Sequence, residues 1–122
     1  MDRVLDTPGL LIARDQALNQ DFQIRIRRMR RQIQQLTRAI LGQQEHIAQL
    51  SEEFYHETTT TTRRSAILRE ITRTRQGIAP LQDMINLHEE DIRMEEENEK
   101  RRHEQIKNVV KFYLYQYHPG VE

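Results

Sequence analysis

The chain has 122 residues, 31 % of them charged, 36 % in the apolar set and 6 % aromatic, with four Gly, three Pro and neither Trp nor Cys. That length holds one domain of ordinary size. Such a low apolar content excludes a broad globular core, while frequent Ile, Leu and Gln with few turn formers exclude disorder, leaving a thin, extended, helix-rich protein.

Lys and Arg together number 19 and so do Asp and Glu, which argues against a dedicated nucleic-acid binder with its usual basic excess. The balance hides a segregation: residues 22–44 hold six Arg and no acid, and residues 83–99 hold eight acids and one Arg. Arg outnumbers Lys 16 to 3, which favours multidentate pairing. The lack of Cys excludes disulfides and thiolate metal sites. No apolar run approaches the roughly 18 residues of a membrane helix. The first residues carry acids and a Pro-Gly break where a signal peptide has a basic segment and an apolar run. The expectation is a soluble, intracellular protein, cytoplasmic rather than nuclear, that does not insert into membranes.

Residues 1–9 read as a short arm, with Asp6-Thr7-Pro8-Gly9 as a turn signal. A first helix is expected over about 10–55. Its stripe runs Phe22, Ile26, Met29, Ile33, Leu36, Ile40, Gln43, Ile47, Leu50 and Phe54, with steps alternating 4 and 3 throughout. This is the a/d pattern of a coiled coil. Residues 56–62 include five consecutive Thr, poor helix formers because of β-branching. They are the expected reversal, with Thr62 as the cap of the second helix.

That second helix is expected over about 63–117. Its stripe keeps the same alternation through Ile67, Ile71, Thr74, Ile78, Leu81, Ile85, His88, Ile92, Glu95, Glu99, Arg102, Ile106, Val109 and Tyr113. It is polar at four of its five positions from 88 to 102. Gly77 and Pro80 predict a kink, and the tail 118–122 begins with a His-Pro-Gly stop.

If Phe54 faces Ile67, every a residue of one helix meets a d residue of the other: Leu50 with Ile71, Ile40 with Leu81, Leu36 with Ile85. Gln43 then faces Ile78 beside the Gly77 and Pro80 kink. Charge agrees with this direction. The Arg block containing Arg25, Arg28, Arg30 and Arg31 falls against the acidic block containing Glu89, Glu90, Asp91 and Glu95. Arg63, Arg64 and Arg69 fall against Glu52, Glu53 and Glu57. Exposed pairs contribute only about 0.2–1 kcal/mol each, so the blocks select register more than they add stability. The predicted fold is an all-α, long antiparallel helical hairpin forming one coiled-coil domain. The same layers arise when the helices are exchanged between two chains. The polar seam implies recruitment of further helices, so a homodimer or larger bundle is expected.

The end of the second helix carries more apolar surface than a two-helix seam can cover. Leu10 and Leu11 of the first helix collect there with Phe112, Leu114, Tyr115 and Tyr117, a candidate docking patch for protein partners.

Motifs for chemistry are weak. The four Gly are scattered, which excludes a phosphate cradle. Glu53 with His56 is a single E-x-x-H where a di-iron bundle requires two. Glu99 and His103 stand four apart and read as a helical salt pair. The expectation is a non-enzymatic structural or adaptor protein with no cofactor, no metal and no catalytic residue. It would act through its heptad seam and its Tyr-rich end. The alternative is a packaging or regulatory protein that tracks nucleic-acid phosphates with the Arg face of residues 25–31.

Overall fold

The computed structural model describes residues 2–117, with side chains from 7 to 116. The tail 118–122 and the side chains of Val4, Leu5 and Tyr117 lie outside the described residues. The fold is the all-α antiparallel hairpin that the two stripes require. Helix α1 spans Asp2–Phe54 and helix α2 spans Thr61–Tyr117.

Both helices begin earlier than the sequence suggests. The stretch read as an arm is helical from Asp2, with Pro8 inside α1. Pro8 lacks one backbone donor but keeps a helical φ, so near a helix start the loss is small. Helix α2 runs unbroken through Gly77 and Pro80.

The reversal is short and tied by hydrogen bonds. Thr60, not Thr62, caps α2: its hydroxyl accepts the Arg63 N–H at 3.1 Å, and its carbonyl accepts the Arg64 N–H at 2.9 Å. The cap thus satisfies a donor that helix geometry leaves free. At the other side, carbonyls at and just beyond the end of α1 find donors from across the turn. The Thr59 hydroxyl donates to the Glu53 carbonyl. Arg64 donates through Nε to Phe54 at 3.0 Å and through Nη2 to His56 at 3.2 Å. The same guanidinium lies 5.9 Å from the centre of the Phe54 ring.

The chain divides into two compact units, Met29–Glu90 and Met1–Arg28 with Asp91–Glu122. The first unit contains the reversal and the tightest core. Ile67 is completely buried, packed with buried Leu50 and Ile71 and flanked by Ile47 and Phe54. Ile40 and Ile85 are also buried, while Ile33, Leu36, Ile78 and Leu81 are half-buried. Gln43 interrupts this apolar seam. Its Oε1 is buried without a hydrogen bond and stands 3.7 Å from where a Cβ on Gly77 would lie. In the second unit Phe22 and Ile26 are buried and Ile92 and Ile106 half-buried. Met29, at the edge of the first unit, is half-buried.

Candidate protein-docking surface

In the unit containing both ends of the chain, the seam changes character. Glu95, Glu99 and Arg102 occupy it half-buried, as their place in the stripe requires. Arg102 meets a residue lying before the first position of the stripe, Asp15, buried at 9 % exposure. Asp15 Oδ2 accepts a hydrogen bond from His103 Nδ1 at 2.8 Å. Arg102 Nη1 lies 3.0 Å from Asp15 Oδ1 and donates to the Asp15 carbonyl at 3.2 Å. Arg102 also donates to Glu99 through Nη2. One signal for Asp15 was available in the sequence, since it lies one heptad before Phe22, on the stripe, and carries the charge opposite to Arg102.

This network corrects one expectation. Glu99 and His103 do not pair with each other; Glu99 takes Arg102 and His103 takes Asp15. In the other unit, the lone E-x-x-H is similarly divided. Glu53 accepts from Arg63 at 2.9 and 3.1 Å through Nε, and His56 Nδ1 pairs with Thr58. The Glu53 hydrogen bond is the main cause holding the Arg63 guanidinium pKa above its ordinary value.

Beyond Ile106 the seam departs from the seven-residue stripe. Val110 and Leu11 are half-buried, whereas Val109 stands 43 % and Ile12 45 % exposed. Val109 therefore does not belong to the seam; in this layer Val110 takes its place, and Leu11 takes that of Ile12 on α1. The change follows the charged layers at Glu95, Glu99 and Arg102, which are half-buried. Tyr113 remains half-buried, its ring edge-on to Phe112 at 6.1 Å.

Apolar side chains at this end are uncovered. Leu10 is 66 %, Phe112 64 %, Tyr115 59 % and Leu114 40 % exposed, while Leu11 turns inward. At about 100° per residue, Val109 and Phe112 share one flank of α2, Leu114 takes the other, and Tyr115 the back. Ile12, Ile106, Val110, Lys107 and Lys111 line a shallow cleft of about 290 Å³ on this unit.

The register charges Arg28, Arg30, Arg31, Glu89, Glu90 and Asp91 are all exposed. Between the helices, Arg25 reaches Glu95 at 3.2 Å, Arg63 reaches Glu53 at 2.7 Å and His46 reaches Glu70 at 3.0 Å. Among the described residues no three of His, Cys, Asp and Glu gather as a metal site. No helix there is long and apolar enough to cross a membrane.

The chain matches no protein-family model, no curated protein and no solved structure.

Proposed function

We propose that this chain is a non-enzymatic structural or adaptor protein, in which the hairpin is a scaffold and its aromatic end binds other proteins. The observation that carries this reading is the exposure of Leu10, Phe112, Leu114 and Tyr115 on one unit. Large rings anchor interfaces well, because they present much area for few rotatable bonds. A largely half-buried charged seam beside them along α2 supports the same reading. Asp15, Arg102 and Glu99 take seam positions that add no apolar burial, and protein contact at the aromatic end supplies more. The occupation of Arg25 by Glu95 weighs against a phosphate-binding Arg face.

Replacing Phe112→Ser together with Tyr115→Ser tests the reading. Helicity by circular dichroism should stay nearly unchanged, while light scattering should show a smaller assembly or a partner no longer retained. Lost helicity at unchanged mass would show the cluster to be an internal cap and would sink the proposal.

A further inference from the structure

The unit Met29–Glu90 carries a charge pattern that its own fold leaves unused. At about 100° per residue, Arg31, Arg38, Glu45 and Glu52 stand on the side of α1 turned away from the seam, at seven-residue steps. Arg69, Gln76, Asp83 and Glu90 stand likewise on the back of α2. All eight are exposed. Arg31, Arg38, Glu45, Glu52, Arg69 and Asp83 take no part in the ion pairs between the helices here, which join Arg63 to Glu53 and His46 to Glu70. In the register that sets Phe54 against Ile67, Arg31 is level with Glu90, Arg38 with Asp83, Glu45 with Gln76 and Glu52 with Arg69. Opposite charges thus share three levels, a carboxylate and an amide share the fourth, and like charges share none. Within one chain these side chains cannot meet, because the seam lies between the two backs.

We propose that the back of α2 docks on the back of α1 of a second copy of this chain. Charge complementarity selects that occupant. A copy displaced sideways, with its helix axes kept parallel to those of the first, lays its α1 antiparallel to α2 at the same levels as inside the hairpin. Arg31 of one copy then meets Glu90 of the other, Arg38 meets Asp83, and Glu52 meets Arg69. Between the charged levels, Gln34 meets Leu87 and Leu41 meets Pro80. Leu41 and Leu87 are 57 % and 66 % exposed in the single chain, and this contact covers both. Small Ala48 comes level with Arg73, which with Leu68, Arg69, Thr72 and Gln76 lines a shallow cleft of about 390 Å³.

A two-fold pair of α1 backs does not use the charges in this way. Antiparallel seams set one heptad position against the other, so Arg31, Arg38, Glu45 and Glu52 would face Gln34, Leu41 and Ala48, and no two charges would share a layer. The contact of α2 with α1 joins two different surfaces and leaves one of each free on the pair, so further copies add by the same contact. Exposed ion pairs are individually weak and are screened by salt. The assembly is therefore expected to grow with protein concentration and to dissolve as salt is added.

The experiment is light scattering on the full chain at low salt, with circular dichroism as a fold control. Wild type should exceed the 14.7 kDa of one chain, increasingly so at higher protein concentration, and return towards it in high salt. Two variants reverse one back each: Arg31→Glu with Arg38→Glu on α1, and Asp83→Arg with Glu90→Arg on α2. Each alone should fall to a lower mass than wild type at the same concentration, with helicity unchanged, because like charges now share two levels. Mixed in equal amounts, the two should regain the wild-type mass, since the acidic α1 of one matches the basic α2 of the other. A wild type that keeps the mass of one chain overturns the proposal. So does a variant that associates alone as wild type does, or a mixture no heavier than its components. A mass that falls only in Phe112→Ser with Tyr115→Ser assigns association to the aromatic end, leaving the adaptor reading standing and this one refuted.

Discussion

Replacing Ile67 by Ala should produce the largest loss of stability of any single truncation in the chain. Ile67 is completely buried, and Leu50, Ile71, Ile47 and Phe54 surround it. The substitution removes three carbons, which at about 0.8 kcal/mol per buried methylene gives about 2.4 kcal/mol of lost transfer energy. The backbone on one side is pinned by the Thr60 cap and the Arg64 bonds to the end of α1. The cavity therefore collapses poorly, and the total should reach about 3–4 kcal/mol, within the range for buried Ile→Ala changes. Urea unfolding monitored by circular dichroism, at one fixed protein concentration, measures it. Leu68→Ala is the control, one residue along and 52 % exposed, with an expected change within about 0.5 kcal/mol. If the two variants lose equal stability, or Ile67→Ala loses under about 1 kcal/mol, the cluster at the reversal is not the core.

Substitutions elsewhere along the seam should differ in sign as well as size. Ile40→Asp should unfold or severely destabilise the chain in the same urea assay, since it buries an unpartnered carboxylate where Ile40 is 7 % exposed. By contrast, Gln43→Leu should hold or raise the urea midpoint, because it removes a buried acceptor that has no donor. Asp15→Asn should lower stability by about 1–3 kcal/mol by weakening the ion pair to Arg102 and the hydrogen bond from His103. Asp15→Leu combined with Glu99→Leu and Arg102→Leu should recover most of that loss, since apolar replacement of a whole buried charged group is often neutral or better; a triple variant no more stable than Asp15→Asn would refute this.

Much of the architecture is written in the spacing of side chains. Alternating steps of 4 and 3 on both helices demand a coiled-coil seam, and five Thr between the stripes leave only one place for the chain to turn. Those features are local and periodic, so elementary helix geometry is enough to read them. From Phe22 to Phe54 on α1 and from Ile67 to Arg102 on α2, the stripe and the inward face of the helices coincide.

Three features depended on the packed structure. Thr60 caps α2 instead of Thr62, because the Thr59 and Arg64 bonds to α1 fix where the turn ends, and a run of identical residues carries no mark of that point. Asp15 enters the seam because Arg102 and His103 meet it from the other helix, a gain invisible in a single stripe. Val110 replaces Val109 on the half-buried face, a choice between two adjacent apolar residues that spacing alone does not make. Sequence periodicity determined which helices pair and in what direction, since that is a sum over many repeated apolar contacts. Tertiary structure decided single residues wherever the apolar repeat gives way to charge or to a turn, since there one hydrogen bond or ion pair outweighs the pattern.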